Sequence, residues 1–305
     1  MGLYDLGEVI KRTREGMGMS QEELAEGICT QETLSRIETG KRTPNRENFK
    51  ALMERLGRSG EKYFPCIHAE NYKTMKKWQI IQYLLQSHEF ENVLIELEEF
   101  EKEIDPDDRV NRQAMMRVKT LCNYYLGNID DQECRKQLIE ALKLTLPHWD
   151  EKQIPKGVFT REECGLFCNI ATSYMNEGRL EEALVLMRQL QEYFRQTSMD
   201  QREKRYSEGL LLSNMAQCLG RNGNTKEALE IVKKEVNEYL KYHMVGRMPN
   251  VLYNTAYQME VQKMDGNACK EKLVQAYYAA EFVGDRRTKK HIRKHFEERY
   301  GEMDA

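Results

Sequence analysis

Three carboxamides recur in one register of this 305-residue chain. Asn169 opens the run Asn169-Ile170-Ala171-Thr172-Ser173-Tyr174, followed by Gly178 and by Glu182-Ala183-Leu184. The same pattern returns 45 residues later as Asn214-Met215-Ala216-Gln217-Cys218-Leu219, then Gly223, then Glu227-Ala228-Leu229. A looser copy runs from Asn254-Thr255-Ala256 to Ala268. Asparagine is a poor residue for a helix interior, because its short amide competes with the backbone for hydrogen bonds. One such residue needs no explanation; three in register suggest a use. Each side-chain amide offers a donor and an acceptor, the pair that a peptide bond presents. Spaced along one face, such amides can hydrogen-bond the main chain of an extended peptide whatever its sequence. One turn onward lie Ser173, Gln217, Tyr257 and Gln258, which complete a candidate peptide-binding set. The other use for the amides is internal, tying neighbouring helices together, and the sequence leaves both open.

Other reactive side chains point to less. Cys164 and Cys168 are one helical turn apart, as are His291 and His295, so either pair could hold two metal ligands. Neither is joined by a second pair at zinc-finger spacing, and no metal is expected. The eight cysteines are scattered through apolar helical patterns and read as reduced core thiols. No paired carboxylates, HExxH, glycine-rich phosphate loop or nucleophile motif stands out, so neither catalysis nor a cofactor is expected. Net charge is −3, but its distribution is uneven: Arg36 to Lys62 carries eight basic and four acidic residues. That local surplus suits phosphates.

The elements that position these groups are helical. Ser20 caps a helix whose third residue, Glu23, reaches back to the Ser20 amide. Leu24, Ala25 and Ile28 give that helix an apolar face, and Gly27 and Cys29 fall at the turn. Thr30 caps the next helix, with Leu34 and Ile37 inward, and Gly40 ends it. Pro44 blocks continuation, and Asn45 starts a helix with Phe49, Leu52 and Leu56 inward. Two short helices across a tight turn, flanked by two more, form a scaffold that lays one helix in the DNA major groove. Beyond it, helix, tight turn and helix alternate. Residues near 71–104 turn at Ser87-His88-Glu89, and residues near 110–146 turn at Gly127-Asn128. Gly178 and Gly223 turn the next two hairpins, and a helix at about 286–299 caps the series. Small residues at Ala171, Ala183, Ala216 and Ala228 let the helices of a hairpin approach closely. The expected fold is all-α, with residues 1–60 as the groove-reading bundle, 61–70 as linker and 71–305 as five hairpins plus a cap. No apolar run approaches the roughly 20 residues that span a bilayer, so no membrane partner is expected. Met1-Gly2-Leu3-Tyr4-Asp5 fits neither a signal peptide nor a myristoylation site, and a cytoplasmic location is expected.

These motifs carry two resemblances. Ser20-Gln21-Glu22-Glu23-Leu24-Ala25 with Leu34-Ser35-Arg36-Ile37-Glu38, Gly40, Lys41 and Pro44 resembles the Xre/Cro-type helix-turn-helix. The turn at Gly27-Ile28-Cys29-Thr30 is shorter than in many of its members. The resemblance implies that Gln31, Glu32 and Arg36 face base edges, Arg36 suiting guanine and Gln31 adenine. Ser35 would touch a base or a phosphate. Gln21, Thr30, Lys41 and Arg42 would hold phosphates, and Glu38 would pair with Arg14 of the first helix. The hairpins resemble tetratricopeptide repeats, which implies a right-handed α-solenoid whose first helices line a concave face.

A Cro-like reader fused to about five such hairpins is similar to the peptide-pheromone regulators typified by Rgg, PlcR, NprR and PrgX. That likeness implies a homodimer on double-stranded operator DNA and a short signalling peptide held at Asn169, Asn214 and Asn254. Two rivals stay open: a DNA-bound protein adaptor, and a plain dimeric repressor whose repeats bind no peptide.

Overall fold

The computed structural model describes residues 6–58, 72–104, 108–197 and 201–303; the expected linker, 61–70, lies outside them. The fold is all-α: the described residues form fifteen α-helices and a short 3-10 helix, Val245–Arg247, and no strand. Four short helices form the head: α1 (Leu6–Gly16), α2 (Gln21–Ala25), α3 (Gln31–Glu38) and α4 (Arg46–Arg55). Five hairpins follow. They are α5 (Tyr72–Gln86) with α6 (Phe90–Glu101), α7 (Arg109–Tyr125) with α8 (Asp131–Lys143), and α9 (Arg161–Asn176) with α10 (Leu180–Gln196). Next come α11 (Gln201–Arg221) with α12 (Thr225–Lys241), α13 (Met248–Val261) with α14 (Gly266–Phe282), and the closing helix α15 (Arg286–Tyr300). Gly127, Gly178 and Gly223 turn three hairpins at φ of 77°, 80° and 82°. In the first and fifth hairpins His88 and Lys263 take the same left-handed conformation at φ of 58° and 55°, a strain glycine would not feel.

The chain divides into two compact units, residues 1–173 with 189–204, and 174–188 with 205–305. In the first unit the head buries Val9, Ile10, Leu24, Leu34, Ile37, Phe49, Leu52, Met53 and Leu56. Val158, from the segment between α8 and α9, completes that core. Beside it, a Cβ on Gly16 would lie 3.2 Å from Lys156 Cβ, and the Arg12 guanidinium donates to the Gln196 carbonyl. The head is thus packed onto the α8–α9 segment and the end of α10, a contact that no sequence pattern announces. A buried polar chain holds that segment. Gln113 Nε2 donates to Thr145 Oγ1 at 2.7 Å, and Thr145 donates to Glu163 Oε1 at 2.6 Å. Glu163 Oε2 accepts from the Thr160 amide at 2.8 Å, while the Glu163 amide donates back to Thr160 Oγ1 at 3.1 Å, a capping box at the start of α9.

In the second unit Ala183, Ala216 and Ala228 are fully buried, as their small size requires. The closest approach is at Gly209, where a Cβ would overlap the Tyr239 hydroxyl. Leu252, Ala256, Leu273, Ala276, Ala280, Ile292 and Phe296 form the core that seats α15 against α13 and α14.

Candidate functional site

The head is held by its caps. Ser20 Oγ accepts from the Glu23 amide at 3.2 Å and Glu23 Oε2 accepts from the Ser20 amide at 2.7 Å, which lowers the Glu23 pKa. Thr30 caps α3 through the Thr33 amide at 3.1 Å, and Asn45 caps α4 through the Asn48 amide at 2.7 Å. Gly27 and Gly40 take φ of 70° and 71° at the two turns. Helix α2 is only five residues long, and Arg55 of α4 donates to the carbonyls of Leu24 and Glu26 at its end. A cation there satisfies carbonyls that the helix leaves unpaired.

Within this frame a chain of hydrogen bonds runs from the core to the start of α3. Arg14 grips Glu38 with two bonds, Nε to Oε1 at 2.7 Å and Nη2 to Oε2 at 2.8 Å, both partners being buried. Arg14 also donates to the Met19 carbonyl at 2.8 Å, and its pKa is raised, first by the bond to Glu38. Glu38 Oε2 accepts from Gln21 Nε2 at 2.7 Å, and Gln21 Oε1 accepts from Gln31 Nε2 at 2.8 Å. Gln31 is therefore oriented, with its carbonyl oxygen and second N–H left over. Those two atoms are the pair that matches the adenine edge. Gln31, Glu32, Arg36, Lys41 and Arg42 are exposed, as is Thr30, while Ser35 and Gln21 are half-buried. Arg36 meets Glu32 at 2.9 Å, so its guanidinium must exchange that partner to reach a base.

The repeat residues are placed within their own units. In the first, Asn169 is half-buried on α9 and accepts from Arg117 Nε of α7 at 2.9 Å. Arg117 also donates to Glu162 at 2.7 Å and lies over Gly165, where a Cβ would be 2.8 Å from its guanidinium. Sequence reasoning missed Arg117, because nothing in the second hairpin repeats the asparagine register. Ser173 is buried and hydrogen-bonds Cys134. In the second unit Asn214 and Gln217 are half-buried on α11. Gln217 donates to the buried Asn254 at 3.3 Å. Tyr257 is exposed. Gln258 is fully buried, donates to the Ala216 carbonyl at 3.2 Å and fills the space over Gly220. Asn254 and Gln258 thus tie α13 to α11, the internal use; Asn169 and Gln217 hold polar partners while keeping some exposure. None of these residues lines the cavity of about 300 Å³ between α6 and α7, which is floored by Leu94, Leu97, Met115 and Met116.

The candidate ligand pairs are occupied differently. Cys164 and Cys168 are buried, and burial pushes the Cys168 thiol up to about 12. His295 Nε2 lies 2.9 Å from Glu260 and its Nδ1 lies 2.7 Å from the Tyr253 hydroxyl, which also meets His291 Nε2 at 3.0 Å. Among the described residues no group of three or more His, Cys, Asp or Glu side chains is placed to hold a metal, and no helix is long and apolar enough to cross a membrane.

The capped pair α2 and α3, with its buried Arg14–Glu38 strut, agrees with the sequence comparison. A family profile described as helix-turn-helix matches residues 10–63. The head is a helix-turn-helix domain. Downstream of this helix-turn-helix the likeness is one of fold. PlcR of Bacillus thuringiensis, solved with the peptide PapR7 and DNA, aligns over 94% of this chain and 98% of its own, with a TM-score of 0.63 and 17% identity. Apo PlcR aligns over 94% and 97%, with a TM-score of 0.59 and 14% identity. ComR from S. thermophilus, solved with DNA and its signalling peptide ComS, aligns over 95% and 98%, with a TM-score of 0.52 and 16% identity. No curated protein matches the chain by sequence.

Proposed function

We propose that the chain is a peptide-responsive transcriptional regulator that binds operator DNA as a homodimer. The observation that carries this reading is the joining of a helix-turn-helix to a repeat fold shared, nearly end to end, with a protein solved holding both a peptide and DNA. Helix α3 enters the major groove. Gln31, oriented through Gln21, Glu38 and Arg14, addresses adenine; Arg36 leaves Glu32 for guanine; Glu32 and Ser35 sit beside them. Gln21, Thr30, Lys41 and Arg42 meet phosphates, helped by the positive ends of α2 and α3. One small module binds weakly, and two on a two-fold site supply the affinity.

The signal is a short peptide; the residues that would meet its main chain are Asn169 and Ser173 in the first unit, and Asn214, Gln217, Asn254, Tyr257 and Gln258 in the second. Asn254 and Gln258 reach a ligand only by giving up their bonds across the hairpins. Peptide binding then has something to exchange, which is how a ligand favours one state over another. In the first unit the route to DNA is short. Asn169, held by Arg117 of α7, stands on α9, the helix whose capping segment carries Val158 into the head. Selecting sequences from a random duplex library tests the reader: the wild type enriches a two-fold motif, and Arg36→Ala relaxes one position of each half-site. No enrichment by the wild type overturns it. Thermal unfolding with small peptides from culture filtrate tests the sensor: a rise that Asn214→Ala removes supports it.

The burial of Asn254 and Gln258 favours one second reading, a dimeric repressor whose repeats bind no peptide. In that case Asn214→Ala changes stability alone.

A further inference from the structure

Helix α15 reverses the sign of the chain. It carries seven cations, Arg286, Arg287, Lys289, Lys290, Arg293, Lys294 and Arg299, against Glu297 and Glu298, in a protein of net charge −3. Packing sorts these cations. Ile292 and Phe296 are buried in the core with Leu273 and Ala276, which fixes the face turned outward. Lys289 is used in an ion pair with Glu281 at 2.5 Å, and Arg293 donates to the Tyr277 hydroxyl at 2.6 Å and lies over that ring. Arg286, Lys290 and Lys294 repeat at every fourth position and are exposed, a stripe along two turns.

Two features argue that the stripe does not serve the helix itself. Arg286, at the start of the stripe, stands with Arg287 in the first turn, where the positive end of the helix repels them; cations that stabilise a helix belong in its last turn. Nor does a row of carboxylates face them. Arg286 and Lys290 have no ion-pair partner among the described residues, and Lys294 reaches only Glu298 of its own helix at 3.7 Å. Of the stripe, Lys294 is felt nearby: the His291 pKa is lowered by burial and then by the charges of His295, Arg287 and Lys294, against Glu298.

We propose that Arg286, Lys290 and Lys294 bind the phosphate backbone of duplex DNA, as a second and sequence-independent contact besides the helix-turn-helix. This rests on the DNA-binding reading above. The stripe extends about 12 Å, the rise of roughly three to four nucleotides along one strand. Arginine and lysine at that spacing meet successive phosphates without any demand on base sequence. An anionic membrane is the poorer match, because the apolar side of α15 is already spent on the core and nothing is left to insert.

The test is the salt dependence of binding by the full chain to a labelled 40-base-pair duplex of arbitrary sequence. The triple variant Arg286→Gln, Lys290→Gln, Lys294→Gln keeps Ile292, Phe296, Lys289 and Arg293, so α15 stays seated, which an unchanged melting temperature checks. Each lost phosphate contact flattens the slope of log K against log salt by about 0.9, so the triple variant flattens it by about two to three and weakens binding on the order of tenfold at 100 mM salt. A head variant, Arg36→Ala, Lys41→Ala, Arg42→Ala, is weakened too, and adding the triple change weakens it further. An unchanged slope and affinity in the triple variant overturns the proposal. So does loss of binding to phosphatidylserine vesicles with DNA binding intact. A head variant that binds as tightly as wild type, with the stripe effect intact, sinks the role of the helix-turn-helix and leaves the stripe standing.

Discussion

At the residue scale, the buried acids do the telling work. Glu38 takes a bidentate arginine and a glutamine in a site nearly closed to water. Removing one partner strands the other charge, so Glu38→Ala costs about 3–5 kcal/mol in denaturant unfolding, while the paired change Arg14→Met, Glu38→Leu costs far less. A loss under about 1 kcal/mol for Glu38→Ala contradicts the strut. Glu235 behaves otherwise. Its Oε1 accepts from Ser213 at 2.9 Å and Tyr239 at 2.6 Å, its Oε2 has no hydrogen-bond partner, and it is 1% exposed. Burial, opposed by those two hydroxyls and by Arg247 and assisted by Glu208, pushes its pKa up to about 7. The folded state therefore holds the proton more tightly than the unfolded state. The contribution is full below the ordinary carboxylate pKa near 4.5 and is lost as pH rises through about 7. Melting temperature should fall across that window in the wild type, and Glu235→Gln should flatten the fall; an equal fall in both rules out the buried acid as its source.

At the element scale, much is legible in the sequence itself. The caps Ser20, Thr30 and Asn45 each sit where a helix begins, and Gly40, Gly127, Gly178 and Gly223 each take the left-handed conformation expected of them. The hairpin turn at Ser87-His88-Glu89 was readable from helix periodicity although its left-handed residue is a histidine. What the sequence hid are contacts between elements distant along the chain. Val158 looks like any loop valine, yet it is 5% exposed inside the head core. Fully burying a valine is worth about 1.5–3 kcal/mol, so Val158→Asp should destabilise the head by at least that much. Hydrogen exchange should show faster opening of α1 and α3, and unchanged exchange there contradicts the docking. Arg117 was equally hidden, since its partners Asn169 and Glu162 are brought to it only by the packing of α7 against the next hairpin. Asparagine register alone does not distinguish an exposed amide from a buried one: Asn254 and Gln258 hydrogen-bond across helices in this structure, which only the burial of each side chain reveals.

At the scale of the whole molecule, the proposed function requires that a peptide held by the repeats change how the helix-turn-helix binds DNA. Coupling of this kind is a free-energy difference between states, typically five- to 150-fold in affinity. The decisive measurement is the affinity of the purified full chain for its selected duplex, with and without the peptide fraction that raises its melting temperature, in the wild type and in Asn214→Ala. At least a fivefold change is expected in the wild type and none in the variant. Equal affinities with and without peptide, or an equal change in both proteins, would contradict it.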